Sequence, residues 1–158
     1  MPIKERRLKT TPLVRTTHSL PWPAWLAGGL FLLYSLAAGF DHVMSLAQGA
    51  TYYRNSGMSE SQVAFFTAVP LWAVAGWTLS VWGGLCGSAA LLLRRRVATG
   101  LLAVSLAGSA VYMLHVLVLA PGGREAMGVL WAMPMILGVL TAVLVGYCAR
   151  LTQAQVLR

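Results

Sequence analysis

The chain has 158 residues, 58% of them hydrophobic and only 10% charged, with a formal net charge of +8. Soluble domains carry about 25% charged residues, so this composition excludes an ordinary water-soluble domain and leaves no room for a separate soluble module. A nucleic-acid surface is excluded by where the charge falls, since it gathers at alternate ends of long apolar runs instead of on one stretch.

Residues 1–22 are read as a polar, basic cytoplasmic tail holding Lys4, Arg6, Arg7, Lys9 and Arg15, kept out of the first helix by Pro12, Pro21 and Pro23. A first span is predicted over 25–44, with Trp22 and Trp25 at the depth of an interfacial aromatic belt. The basic start, the apolar stretch and Ser35-Leu36-Ala37 also fit a removable signal peptide. However, about 21 residues precede the apolar stretch and the helical pattern runs on through Asp41 and His42, so the span is expected to stay. Residues 45–63 make the one substantial external connection, with Tyr52 and Tyr53 at the outer interface. Within it, Ser59-Glu60-Ser61-Gln62 has the pattern of a capping box.

The second apolar run, 64–93, is too long for one crossing. Its thirty residues would extend roughly 45 Å at 1.5 Å each, against ~30 Å of hydrocarbon. Pro70 is expected to divide it, leaving 64–69 oblique or interfacial and 71–93 to cross. Spans over 97–120 and 127–149 follow, joined by the tight turn Pro121-Gly122-Gly123, with Pro134 expected to kink the last one. Residues 151–158 form a cytoplasmic tail.

Ten Lys and Arg residues lie at the tail, at Arg94–Arg96 and at Arg150 and Arg158, against Arg54 and Arg124 at the opposite ends. This positive-inside bias predicts both termini in the cytoplasm. The basic tail should also be drawn to anionic lipid, at ~1 kcal/mol per cation near the surface. The fold class is therefore all-α: a polytopic four-transmembrane-helix bundle, N-in/C-in, in a bacterial cytoplasmic membrane.

Helices associate in lipid where small residues let backbones approach. The second span offers Gly76, Ser80, Gly84 and Ser88, widened by Gly83 and Gly87. The third offers Ala103 and Ala107, the fourth Gly138, Ala142 and Gly146. A compact bundle follows, although the same stripes would serve a second subunit. Residues 33–47 and 106–120 agree at six of fifteen positions, including His42/His115. Spans one and three would then be parallel repeats, or chance matches among few residue types.

Polar residues within spans are functional candidates. Asp41, His42 and His115 fall at similar outer depth, and both imidazoles are expected to point into the bundle, where they could meet or share Asp41. Arg54 and Gln62 join them as candidates for an outer-mouth polar site. Three readings stay open. The histidines could ligate a metal or haem, with Met44 and Met113 suggesting Cu(I), although residues two apart do not share a helix face. They could relay protons or bind a quinone or small polar solute. Or they could simply hydrogen-bond at the interface. No cofactor or metal is predicted. Cys86 and Cys148 are expected free, there being no zinc spacing. Neither a Walker loop, a nucleophile elbow nor HExxH is present, so no catalytic residue is expected.

The stretch from Phe40 to Arg96 carries FDH after the first span, a Tyr-containing loop and SESQVAFFTAVPLWAVAGWTLSVWGGLCGSAALLLRRR. It resembles small bacterial inner-membrane proteins without established activity, often labelled sugar transporters, and its layout is similar to the DoxX-like proteins. The resemblance implies a four-helix fold and an inner-membrane location. Two functions are expected: a non-enzymatic accessory or self-associating component whose partners are lipid, a second copy or a larger membrane complex; or a small-solute or proton-coupled transporter.

Overall fold

The computed structural model describes residues 20–157, so all but the end of the expected basic tail lies outside the described residues. The described chain is helical throughout: α1 (Trp22–Gln48), α2 (Ala50–Asn55), α3 (Glu60–Thr67), α4 (Leu71–Leu92), α5 (Val97–Leu114), α6 (Gly123–Met127) and α7 (Met133–Gln153). Four helices are long and apolar enough to cross a membrane: α1, α4, α7, and α5 with the π-helical turn His115–Leu119 that continues it.

The side-chain pattern is inverted relative to a soluble protein. Along α1 the buried residues are Ala24, Gly28, Ser35, Gly39, His42 and Ser45, while Leu26, Leu30, Leu33, Leu36, Phe40, Val43 and Leu46 face outward. Large apolar groups outside and small or polar ones inside are stable only where the surrounding solvent is hydrocarbon. α1 is longer than predicted. Pro21 and Pro23 do not delay it, because proline fits the first turn of a helix, where its missing N–H is not needed.

The predicted external loop 45–63 is mostly helical. α1 runs to Gln48, Gly49 turns the chain at φ 53°, and α2 follows at once. The capping box forms: Gln62 N–H donates to Ser59 Oγ (3.3 Å), and Ser59 N–H donates to Gln62 Oε1 (3.0 Å). Pro70 divides the long second run as expected, its φ of −69° and ψ of 150° separating α3 from α4. Pro134 behaves differently from its prediction. It sits in the first turn of α7, preceded by the 3-10 turn Gly128–Ala132, and so begins the helix instead of kinking it.

The crossing helices form an open arc in the order α1, α4, α5, α7. α4 and α5 pack most extensively, α1 lies on α4 and α7 on α5, while α1 and α7 barely touch. The α4–α5 seam depends on glycine. A Cβ on Gly108 would stand 2.5 Å from the Gly76 carbonyl oxygen, and one on Gly83 2.9 Å from the Ser105 backbone N. The predicted stripe Gly76, Ser80, Gly84 and Ser88 therefore does face protein. Ser105 Oγ donates to the Ser80 carbonyl (2.6 Å), and Ser88 Oγ caps the Gly84 carbonyl of its own helix (2.8 Å).

The other two predicted stripes do not. Ala103 and Ala107 are exposed, and α5 buries Ala98, Leu102, Ser105 and Gly108 instead. In α7, Ala142 and Gly146 are exposed, and Gly138 and Gly146 have open space where a Cβ would stand. α7 has one neighbouring helix, so it buries one stripe, and the larger Thr141, Leu144, Cys148 and Leu151 occupy it.

One end of the arc is closed. Leu20, Ala24, Leu91, Ala98, Leu102, Leu144, Cys148, Leu151 and Leu157 pack into a single core there. Arg96 Nε donates to the Leu157 carbonyl (3.2 Å), tying the chain's end to the α4–α5 turn. The start of α1 and the end of α7 thus meet at the end that carries Arg94–Arg96 and Arg150.

Candidate functional site

The predicted outer-mouth residues occupy the opposite end, and the structure does not gather them into one site. Asp41 is exposed and accepts a hydrogen bond from the Tyr52 hydroxyl (2.9 Å), which fastens α2 back onto α1. That bond pushes the Tyr52 phenol above its ordinary range, since ionisation would set phenolate against carboxylate. Arg54 makes a two-pronged pair with Glu60 (Nε–Oε1 2.8 Å, Nη2–Oε2 3.0 Å), which holds the Glu60 carboxyl below its usual range. Gln62, besides capping α3, donates from Nε2 to the Ala126 carbonyl (2.8 Å) and so pins α3 to α6. All three fix the loops.

The two histidines pack on different tryptophans. His42 is only 1% exposed, stands edge-on to Trp77 (ring centroids 4.5 Å apart), and has Nε2 3.3 Å from Thr78 Oγ1. His115 is half-buried and stands edge-on to Trp72 instead (5.2 Å). Each packs on a different tryptophan of α4. Neither forms an ion pair with Asp41, and among the described residues no three His, Cys, Asp or Glu side chains group as a metal site would. Each imidazole thus has its own aromatic neighbour, Trp77 for His42 and Trp72 for His115. His42 Nδ1 and, one turn on, Ser45 Oγ are both buried with no hydrogen-bond partner among the described residues.

The concave features lie deeper. A cavity of about 150 Å³ sits between all four crossing helices, midway along α1, α4 and α5 and beside the first turns of α7. Its walls are rich in hydroxyls. Two of these are committed: Ser105 donates to the Ser80 carbonyl, and Thr141 to the Leu137 carbonyl (2.7 Å). The others, on Tyr34, Ser35, Ser80, Ser109 and Tyr112, form no hydrogen bond among the described residues, nor does the Trp77 indole N–H. No charged residue, histidine or cysteine lines this cavity.

Each helix contributes through a simple local rule. On α1, Ser35 stands on the buried stripe with Gly39 and His42. On α5, Ser105, Ser109 and Tyr112 follow at intervals of four and three, which places them on one helical face. Gly84 keeps that face open: a Cβ there would press to 3.2 Å on both Ser105 Oγ and Ser35 Oγ.

Toward the end that carries α2 and α3, a second cavity of about 220 Å³ is lined by Ser45, Gly49, Tyr53, Thr67 and Val74, and shares Trp77 and Tyr112 with the first. Those two rings stack with centroids 5.8 Å apart and planes inclined 22°. They form the partition between the two cavities.

Sequence reasoning weighted ionisable groups and passed over these residues. The signal that would have found them is one serine or more on α1, α4 and α5 at a common depth, since hydroxyls in a span face protein or water more readily than lipid. No family model, curated protein or solved structure matches the chain, so its function is argued from this geometry.

Proposed function

We propose that the chain is a non-catalytic, multi-pass protein of a bacterial cytoplasmic membrane, with both termini inside, that binds a small uncharged polar molecule in its central cavity. The supporting observation is that Tyr34, Ser35, Ser80, Ser109, Tyr112 and Trp77 line that cavity and their hydroxyls and indole N–H have no hydrogen-bond partner among the described residues. In a low-dielectric interior, unpaired polar groups cost roughly 1–3 kcal/mol each, which favours an occupant that hydrogen-bonds to them. No carboxylate, cationic side chain, histidine or cysteine stands in the lining, so a charged substrate finds no counter-charge there. The 150 Å³ volume matches a cavity size that holds a molecule as large as benzene.

Water could fill the same space, and a cysteine assay separates the two. Ser109→Cys is made in a Cys86→Ser background, with the buried Cys148 left in place, and alkylated with a small neutral methanethiosulfonate. Ser109→Cys should react, Ser88→Cys at the closed end should not, and added glycerol or a glycerol ester should slow the first reaction. An unreactive Ser109→Cys, or a rate that no such molecule alters, overturns the proposal.

A second reading, association with another copy or a larger membrane complex, is favoured by the outward Gly138, Ala142 and Gly146, since small residues on a lipid-facing surface admit a second helix. Gly146→Cys should then cross-link between chains in native membranes, and a monomeric result removes that reading.

A further inference from the structure

The central cavity adjoins a second space on the side between α1 and α7. A groove of about 500 Å³ runs between them, walled by Ala27, Leu30 and Phe31 on one side and Leu140, Val143 and Leu144 on the other. Phe31, Tyr34 and Leu137 line both groove and cavity, so the two spaces adjoin. Leu30, Leu140 and Val143 are 60%, 55% and 65% exposed, which opens the groove to the surrounding lipid.

We propose that the ligand is a neutral amphiphile drawn sideways from the bilayer, its apolar tail in the α1–α7 groove and its small uncharged head among the hydroxyls of the central cavity. This rests on the reading of the central cavity above and names the class of molecule it takes. Four observations support it. The chemistry changes sharply along the path, from an almost wholly apolar groove to a cavity with at least five uncommitted hydroxyls, as a tail and a head require. Neither lining holds a charged side chain, so a carboxylate or phosphate head would be buried without a counter-ion, at a cost of several kcal/mol.

Size agrees as well. Groove and cavity together fall within the roughly 300–1,000 Å³ of ordinary ligand sites, which are mostly apolar with a few orienting polar groups. A partner's helix fits poorly by comparison: at 10–12 Å across, it would fill 500 Å³ with roughly one turn. The donors also specify the head. An indole N–H only donates, and phenol and serine hydroxyls donate or accept, so a head with ester, ether or hydroxyl oxygens satisfies them.

The test uses monoolein, a neutral single-chain glycerol ester, carrying a diazirine in its acyl chain, with the full protein in lipid nanodiscs. Irradiation should place adducts on the groove residues of α1 and α7. Leu140→Trp, which fills the groove, and Ser35→Leu, which fills the cavity, should each lower the yield by about tenfold, the ratio that ~1.4 kcal/mol of affinity commands. Unlabelled monoolein should compete, and oleate, with the same chain and a charged head, should not. Should Ser35→Leu fail to fold, alkylating Leu140→Cys with a hexyl thiosulfonate after reconstitution gives the same blockade. Adducts spread evenly over outward residues such as Leu33 and Phe40, unchanged by either blockade, overturn the proposal, as does spontaneous disulfide dimerisation of Leu140→Cys. Glycerol protecting Ser109→Cys as well as monoolein does overturns the amphiphile while leaving the cavity reading intact. Protection by neither defeats both.

Discussion

At the end of the bundle near Arg94–Arg96, four helices meet with Leu91, Leu102, Leu157 and Cys148 wholly buried. Midway along the same helices, a space of about 150 Å³ opens, lined by serine and tyrosine hydroxyls. The same α4–α5 seam runs through both regions, held close by Gly87 against Leu102 in one and by Gly76 against Gly108 in the other. The difference therefore does not come from that seam. It comes from the outer helices: near Arg94–Arg96, Leu20 and Ala24 of the α1 side and Leu144, Cys148 and Leu151 of α7 join one core, whereas Tyr34 and Ser35 of α1 and Leu137 and Thr141 of α7 stand around the cavity. Stability is concentrated where large apolar groups interlock, and the candidate site lies where they do not.

Truncation should separate the two regions most sharply. Leu102→Ala removes a side chain that is 0% exposed, so it should cost about 2–5 kcal/mol, while Ser109→Ala, beside an existing space, should stay within about 0.5 kcal/mol. Reversible unfolding in mixed micelles measures both. Equal losses would mean that the hollow region is packed as tightly as the closed one.

A smaller effect tests the shared seam. Gly108→Ala must force the backbones of α4 and α5 apart, because its Cβ would meet the Gly76 oxygen at 2.5 Å and the Ser80 nitrogen at 2.7 Å. A loss of about 1–3 kcal/mol is expected. Gly100→Ala, on the same helix with open space around it, should be tolerated. If both are tolerated, the close approach is not what joins α4 to α5.

The smallest effect concerns the connection between α2 and α3, at the end opposite Arg94–Arg96. Glu60 is held below its ordinary pKa, first by its hydrogen bond from Arg54. A carboxyl lowered in the folded state adds stability above its unfolded pKa, and that stability is lost as pH falls through the lowered folded value. The wild-type thermal midpoint should therefore drop relative to Glu60→Gln on acidification below about pH 4.3, the unperturbed Glu value. Both partners are more than half exposed, so the shift should be small. Parallel midpoints from pH 7 to pH 3 would show the pair to be inert.

Much of the architecture was legible because lipid imposes coarse requirements. Run length, the break at Pro70 and the Ser59–Gln62 cap each follow from one local rule, and each appears in the structure. The candidate site was less legible. Asp41, His42 and His115 stood out as costly polar residues, yet Asp41 is bound to Tyr52 and the imidazoles pack on different tryptophans. Tyr34, Ser35, Ser80, Ser109 and Tyr112 carry ordinary hydroxyls that attract no notice singly, and become a site only by converging.

The sequence by itself determined the solvent, the number of crossings and the places where helices start and stop, because hydrophobic length, proline and caps act over a few neighbouring residues. Only the tertiary structure decided which stripe each helix buries. α4 packs on both α1 and α5 and buries 44% of its apolar window, against 22% for the other three; its glycine row meets protein, while a Cβ on Gly138 or Gly146 of α7 would meet nothing. A small-residue stripe has no intrinsic direction in lipid: which side it faces depends on where the neighbouring helices stand, and that is a property of the assembled bundle.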